Sequence, residues 1–276
     1  MSSMPDRSTV HRLALAASGA ILALALSATA VVAQIAVIGS TLEEHVAAPG
    51  ESYRGAIVIR NVTSETQRVR IYQTDYLFYA DGTSRFDSAG TDVRSNANWI
   101  TLAARSISIP ASGEMTVTYD VKVPKADSLV GSYWSAIMVE GEKAPPPPTQ
   151  SKAQVGLGAI LRYAVQIATH VGSTGSRTIR FSRTQLVTKP DSSRAFNVDV
   201  ENIGQRAYKP ALWVEIYDGA GALVANVRQE RGLLYPGTSL QQTFELGRLA
   251  GGSYRAIVFA DSGDDAVFAS QYTLKF

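Results

Sequence analysis

The sequence predicts an all-β protein, and three observations support this. Short runs in which apolar and polar residues alternate recur along the chain, as in Arg68–Thr74 and Met115–Val123, and a period of two is typical of half-buried strands. Turn-forming residues such as Asp81-Gly82 and Pro110–Gly113 separate these runs,. No stretch after the N-terminal region keeps the period of an amphipathic helix,.

The N-terminal region is typical of a secretory signal peptide. Two arginines precede an apolar run from Leu13 to Ala33, and a basic segment before an apolar segment directs export. The small side chains of Val31 and Ala33 predict cleavage after Ala33, so residues 1–33 would be removed. Cleavage after Ala30, or retention of the run as a membrane anchor, remain alternatives. We expect an exported protein, periplasmic or extracellular, without a stable membrane span once the signal is cleaved.

The strands of the first half follow from alternation bounded by turn residues. They are predicted at Tyr53–Asn61, Arg68–Thr74 continuing toward Tyr79, Trp99–Leu102, Ile107–Ile109, Met115–Val123, Ser132–Glu140 and Ile160–Val171. The chain contains no cysteine, so its strands must be stabilised by buried apolar surface and sheet hydrogen bonds.

The second half repeats the plan of the first. Gly131-Ser-Tyr-Trp is matched by Gly252-Ser-Tyr-Arg, and Ala56–Asn61 is paralleled by Phe196–Asn202, each run ending in asparagine. Tandem copies of one strand plan indicate tandem domains, and each copy has the length of a sandwich. The sequence therefore predicts two tandem immunoglobulin-like β-sandwiches after the signal peptide.

The repeat also predicts the boundaries. Because one strand follows Gly252–Ala260, one strand should follow Gly141, and the proline-rich stretch 144–153 becomes an insertion in a hairpin of the first sandwich,. The first sandwich then spans residues 34–172 and the second spans 177–276. Residues 172–176, which are glycine, serine and threonine, form the linker.

Composition argues against several classes of function. The chain has 26 basic and 24 acidic residues, and this near-neutral balance disfavours a nucleic-acid partner. His45 and His170 have no metal-ligand spacing around them, and no Gly-x-Ser-x-Gly elbow or phosphate-binding loop is present,. We therefore expect no enzyme activity, no cofactor and no metal site.

One acidic loop offers a possible cation site. Asp75, Asp81, Asp87 and Asp92 lie within one polar stretch, and carboxylate oxygens bind hard cations. Their spacing matches no calcium loop, so we expect solvated turn residues.

Aromatic residues are the candidate ligand-binding groups. Many cluster in the first half, and exposed rings can hold a sugar or a peptide. Neighbours in a strand point to opposite faces, so half of these rings should be core. We expect Trp99 in the core, and Tyr76, Tyr79 and Trp134 remain as ligand-binding candidates.

The order of the motifs resembles two known families. Ser95-Asn-Ala-Asn-Trp-Ile, Ile109-Pro-Ala-Ser-Gly-Glu and Gly131-Ser-Tyr-Trp lie in an order similar to that of the immunoglobulin-like domains of WxL-interacting surface proteins. It also resembles, more distantly, the N-terminal domain of periplasmic pilus-assembly chaperones. The first resemblance implies binding of a surface protein or cell-wall polymer, and the second implies capture of an unfolded pilin subunit by strand addition.

These observations predict a non-catalytic exported binding or scaffolding protein of the bacterial cell envelope. The alternative is a periplasmic chaperone for pilus-like or other secreted surface subunits. A third hypothesis is an accessory β-domain of a carbohydrate enzyme. The expected partner is an envelope or surface protein, including a secreted subunit, or a cell-wall glycan.

Overall fold

The computed structural model describes residues 34–142, 161–230, 232–263 and 266–276, which belong to one compact unit. The described residues form eighteen strands and one short 3-10 helix, which confirms the predicted all-β class. The predicted signal peptide and the proline-rich insertion lie outside the described residues. Within the described part of the chain, no helix is long and apolar enough to span a membrane.

The first eleven strands form two facing sheets and a small hairpin. One sheet has the order β1-β3-β9-β7, the other has the order β2-β11-β10-β4-β8, and β5 pairs with β6. The strands are β1 Ile35–Ile38, β2 Leu42–Ala47, β3 Ser52–Asn61, β4 Gln67–Thr74, β5 Leu77–Phe78, β6 Ser84–Arg85, β7 Ile100–Leu102, β8 Ser106–Ile109, β9 Glu114–Lys122, β10 Gly131–Gly141 and β11 Arg162–Val171, with the 3-10 helix at Ala97–Trp99.

The last seven strands form a second pair of sheets. Their orders are β12-β13-β16 and β15-β14-β17-β18. The strands are β12 Ile179–Thr188, β13 Arg194–Asn202, β14 Ala211–Tyr217, β15 Leu223–Glu230, β16 Ser239–Gly247, β17 Ser253–Asp261 and β18 Val267–Lys275. Where one folding domain ends and the next begins stays a prediction.

Each pair of sheets encloses its own apolar core. Ile59, Ile71 and Ile137 are fully buried in the first core, and Val198 and Val214 are fully buried in the second. Buried apolar residues recur at alternate positions of these strands, as at Ile57 and Ile59 of β3 and at Val198 and Val200 of β13, so one face of each sheet is apolar,. Each such side chain contributes roughly 1.5–3 kcal/mol by leaving water, which explains how the fold forms without disulfides.

The first strand divides between the two sheets of the first sandwich. β1 pairs with β3 in one sheet, whereas β2 runs parallel to β11 in the other. Gly39, with a φ of 97°, lies between them, in a conformation that favours glycine. Because the chain crosses from one sheet to the other here, β1 covers only Val58–Asn61 of β3, and β2 covers only Gln166–Val171 of β11.

The hairpin of β5 and β6 joins the two sandwiches. Its Asp81-Gly82 turn forms as predicted, with Gly82 N donating to Tyr79 O at 3.0 Å. Ala80 N donates to Ser239 Oγ at 3.0 Å, and Ser239 belongs to the second sandwich. The prediction that β4 continues toward Tyr79 was wrong, since β4 ends at Thr74 and buried Asp75 holds the following loop.

Candidate strand-binding edge

β11 is paired along its whole length on one side only. Its ten residues pair with β10, from Glu140 opposite Arg162 to Gly131 opposite Val171. On the other side β2 covers only Gln166–Val171. No strand of the described residues pairs with Arg162–Val165 on that side, so the first four residues of β11 form an open edge.

The backbone groups that face this open edge follow from the ladder. Gln166 N donates to Thr41 O at 2.8 Å, so the N–H and C=O of Gln166 point toward the side of β2. Alternate residues of a strand direct these groups to the same side. Arg162 and Ala164 therefore present their backbone donors and acceptors to the open side.

The apolar side chains of this strand share one row. Val165 is buried in the first core, Tyr163 packs against it half-buried, and Leu161 is 42% exposed. The Tyr163 hydroxyl donates to Ile35 O at 3.1 Å. The row therefore begins in the core and leaves it at the open edge.

The sequence analysis missed this row, although the sequence contained a signal for it. Apolar residues alternate through the segment before β11 and into it, at Val155, Leu157, Ala159, Leu161, Tyr163, Val165 and Ile167. The prediction placed a strand at Ile160–Val171 but did not identify an apolar row longer than the strand.

Charged groups protect the neighbouring edge of the same sheet. β2 carries Glu43 and Glu44 in succession, and charged side chains on an edge strand oppose pairing with another chain. The open part of β11 has the single charge of Arg162, whose Nε lies 3.8 Å from a Glu140 oxygen. The open part of β11 therefore carries fewer charges than β2.

A polar cluster fixes the sheet next to the open edge. Glu140 accepts hydrogen bonds from the Tyr72 hydroxyl at 2.7 Å and from Arg70 Nη2 at 3.1 Å. The bond from Tyr72 is the largest influence that lowers the pKa of Glu140, and Arg70 and Arg162 act in the same direction. The ionised carboxylate ties β4 and β10 together beside β11.

Another open edge lies in the second sandwich. β18 pairs with β17 on one side, and no strand of the described residues pairs with its other side. Phe276 N donates to Gly252 O at 3.0 Å, so Thr273, three residues earlier, directs its backbone groups away from β17. The open edge of β18 can therefore serve as a control for the open edge of β11.

A serine, a histidine and a glutamate lie in a row, as in some hydrolases. Ser132 Oγ is 2.7 Å from His170 Nδ1, and His170 Nε2 is 3.4 Å from Glu44 Oε1. However, Ser132 is fully buried, and its Oγ accepts a hydrogen bond from Ala207 N at 2.8 Å. A nucleophile needs access to its substrate, so this arrangement does not suit nucleophilic catalysis.

The four acidic residues of the predicted loop are not gathered around one point. Asp75 is 1% exposed and accepts hydrogen bonds from the N–H groups of Gly90, Thr91 and Asp92 and from Ser95 Oγ. Burial disfavours ionisation of Asp75, but these hydrogen bonds outweigh it and hold its pKa below the ordinary value. Among the residues described, no cluster of three His, Asp or Glu side chains could hold a metal.

Of the three aromatic candidates, Trp134 lies away from solvent. Its ring points out of the first core, but the second sandwich covers it, so only 3% is exposed. It stacks on Tyr235 with centroids 4.6 Å apart, and its Nε1 donates to Tyr76 O at 2.6 Å. Tyr76 and Tyr79 are half-buried. A ligand-binding role for these three residues stays a prediction.

The comparisons with known proteins give similarities in structure. No family model matches the chain, and no curated protein matches it in sequence. A class 5 fimbriae chaperone, CfaA, is 12% identical, covers 86% of this chain and 98% of its own, and has a TM-score of 0.47. The Escherichia coli chaperone DraB is 12% identical, with 88% and 98% covered and a TM-score of 0.40.

A third similar structure contains two proteins. It is the pre-assembly complex of the chaperone CsuC with the tip adhesion subunit CsuE from Acinetobacter baumannii, matched at 9% identity, with 76% and 90% covered and a TM-score of 0.38. The resemblance to WxL-interacting proteins stays a prediction.

Proposed function

We propose that this chain is an exported, non-catalytic chaperone that holds a secreted subunit by pairing with one of its strands at the open edge of β11. The observation that carries this proposal is the apolar row that leaves the first core beside unpaired backbone groups. Strand addition to a sheet edge uses these two features, since the backbone supplies affinity and alternate side chains supply specificity.

The chemistry of the edge suits an extended, partly apolar segment. Each backbone hydrogen bond to Arg162 or Ala164 would contribute about 0.5–1.5 kcal/mol. Leu161 is 42% exposed, and a facing apolar side chain would bury its remaining surface. A subunit that lacks a partner for one of its own edges would be shielded from aggregation in this way.

The β11 edge is a better candidate than the β18 edge because of its apolar extension. The row of β11 continues outside the core at Leu161, which is 42% exposed. The aromatic side chains of β18 instead stay with their own sandwich, because Phe268 and Tyr272 pack against the second core.

The proposed partner is a secreted subunit, and the proposed location is the periplasm. The solved structures named above are chaperones, one of them in a complex with a tip adhesion subunit, but the open edge supports the proposal independently of them. An envelope scaffold that binds through another surface is the competing function.

Three proline substitutions, each at a different sheet edge, distinguish a chaperone that binds at β11 from an envelope scaffold. Ala164→Pro removes a donor that faces the open side and no hydrogen bond to β10, because proline lacks an N–H. Val46→Pro makes the same change on the outer edge of β2, where Thr41 O and Ala47 O point toward β11 and Val46 therefore points away. Thr273→Pro makes it on the open edge of β18.

The probe is a short peptide in which valine alternates with serine, and its affinity is measured by titration calorimetry. We expect Ala164→Pro to weaken binding by about tenfold or more, through one lost hydrogen bond and the bulk of the ring, while Val46→Pro and Thr273→Pro bind normally. In pull-downs from periplasmic extract, a secreted subunit should be lost only with Ala164→Pro. Retention with Ala164→Pro would favour an envelope scaffold, and loss with Thr273→Pro alone would move the site to β18.

A further inference from the structure

A hydrogen-bonded row crosses the junction between the two sandwiches. It runs from Ala207 N to Ser132 Oγ at 2.8 Å, from Ser132 Oγ to His170 Nδ1 at 2.7 Å, and from His170 Nε2 to Glu44 Oε1 at 3.4 Å. Glu44 also forms an ion pair with Lys209. Ala207 and Lys209 belong to the second sandwich, so both ends of the row hold the two sandwiches together.

The middle of this row is shielded from water. Ser132 is fully buried and His170 is 7% exposed. A buried polar group without a partner costs about 1–3 kcal/mol, so each proton in the row needs a defined acceptor.

The donors and acceptors assign the protons of His170. The N–H of Ala207 can only donate, so Ser132 Oγ accepts from it. A hydroxyl oxygen can accept two hydrogen bonds, but among the described residues Ser132 Oγ has only Ala207 N and His170 Nδ1 as partners, and only Nδ1 can accept,. The buried hydroxyl proton of Ser132 is therefore directed at His170 Nδ1, which carries no proton. The single proton of the neutral ring therefore resides on Nε2, which donates to Glu44.

A second proton on the ring would break this order. Protonated Nδ1 would face the hydroxyl of Ser132 as a donor, so the hydroxyl would lose its acceptor. The new positive charge would face Arg206 and Arg177, and the facing carboxylate of Glu44 is already shared with Lys209.

We propose that His170 is an acid-sensitive latch between the sandwiches: its neutral ring joins β10, β11 and β2 to the second sandwich, and its protonation weakens the junction. The latch consists of Ser132, His170, Glu44 and the N–H of Ala207. This proposal does not depend on what the β11 edge binds.

Electrostatics supports the same direction. Burial is the largest influence that lowers the pKa of His170, followed by the charge of Arg206, while the hydrogen bond to Glu44 opposes them. The unfolded chain takes up this proton near the ordinary histidine pKa of about 6.5. Above that pH both states are neutral, and stability falls as the pH drops below it, until the pH reaches the lower pKa of the folded state.

The test measures unfolding by urea between about pH 7.5 and pH 5.5, using the protein purified after export. Within this range the unfolding equilibrium constant of the wild type should rise by up to about tenfold per pH unit below the unfolded pKa. His170→Asn should remove this rise. His45→Asn is the matched control, because His45 is a half-buried histidine that stacks on Tyr53 within the first sandwich, and it should leave the rise in place. A rise that survives His170→Asn, or that His45→Asn removes, would overturn the latch.

A measurement on the unsubstituted ring keeps the proposal testable if His170→Asn does not fold. Nitrogen NMR of the histidines should show His170 with its proton on Nε2 at about pH 7.5. A proton on Nδ1 at that pH would contradict the row.

Spin labels measure the junction directly. They are attached at Thr66→Cys and Thr273→Cys, one in each sandwich of a chain with no native cysteine. The distribution of distances between the labels should broaden when His170 is protonated, and an unchanged distribution would also contradict the latch.

Discussion

The same short sequence begins a strand in each sandwich, but the two copies lie in different surroundings. Gly131-Ser-Tyr-Trp begins β10, and Gly252-Ser-Tyr-Arg leads into β17. At the fourth position Trp134 is 3% exposed beneath the second sandwich, whereas Arg255 is exposed, with its guanidinium 5.0 Å from the Tyr217 ring centroid. A repeat thus conserves the strand, while the neighbouring sandwich decides which face of it is buried.

The largest expected effect concerns this fourth position. Trp134→Ala should lower the free energy of unfolding by about 3–5 kcal/mol, because it leaves a cavity beside Tyr235 and removes the hydrogen bond to Tyr76 O. Arg255→Ala should change it by less than about 0.5 kcal/mol, as is usual for exposed positions. Chemical denaturation measures both, and equal effects would show that the junction does not bury Trp134 in solution.

The first position of the repeat sharpens the comparison. Gly131 has a φ of 82°, and a Cβ there would overlap the carbonyl oxygen of Gln205 in the second sandwich. Gly252 has a φ of 159°, but the nearest atom to a Cβ there is 3.7 Å away, so nothing overlaps it. Gly131→Ala should cost on the order of 3 kcal/mol through strain and overlap, and Gly252→Ala should cost clearly less. Thermal unfolding of the two variants provides the check.

Asn61 and Asn202 are expected to contribute similarly to stability, since the side-chain amide of each donates hydrogen bonds to backbone carbonyls of its own sandwich. Asn61 Nδ2 donates to Glu65 O, Ile109 O and Pro110 O, and Asn202 Nδ2 donates to Arg206 O and Leu234 O. Both are fully buried. Each replacement by alanine should cost about 1–3 kcal/mol by leaving buried carbonyls unpaired. A cost at one site only, measured by urea denaturation, would show that the turns are not equivalent.

The smallest expected effect is the acid response of Asp75. Its pKa is lowered in the folded state, so its contribution is present above the unfolded pKa of about 3.9 and is lost as the pH falls through the folded pKa. Asp75→Asn should therefore show a weaker loss of stability between about pH 5 and pH 2 than the wild type. An identical loss in both proteins would place the acid response at other carboxylates.

Local patterns predicted most strands of this protein. Alternation located β3, β9, β10 and β11 to within about two residues, because each has one face in a core and one outside it,. It located the start of β4 but not its end. The turn at Pro110–Gly113 also forms, with Gly113 N donating to Pro110 O at 3.0 Å. The pattern did not predict β1 and β2, because Ile35–Ile38 is apolar throughout and Leu42–Ala47 carries three polar residues in succession, so neither run alternates.

Two further features could not be predicted from neighbours along the chain. The His170 latch joins residues from β2, β10 and β11 to Ala207, and no spacing in the sequence marks such a meeting. The burial of Trp134 depends on a surface supplied by Tyr235, about a hundred residues later. Alternation distinguishes two faces of a strand, but it does not tell whether another sheet covers the outer one.

The sequence by itself determined that this protein is built from alternating strands and that its second half repeats the strand plan of its first half. The tertiary structure alone decided which edge of β11 is open, because β2 ends its pairing at Gln166. The reason is physical: a strand's side-chain period is local, whereas the partners on its two edges are chosen by the packing of the whole sheet.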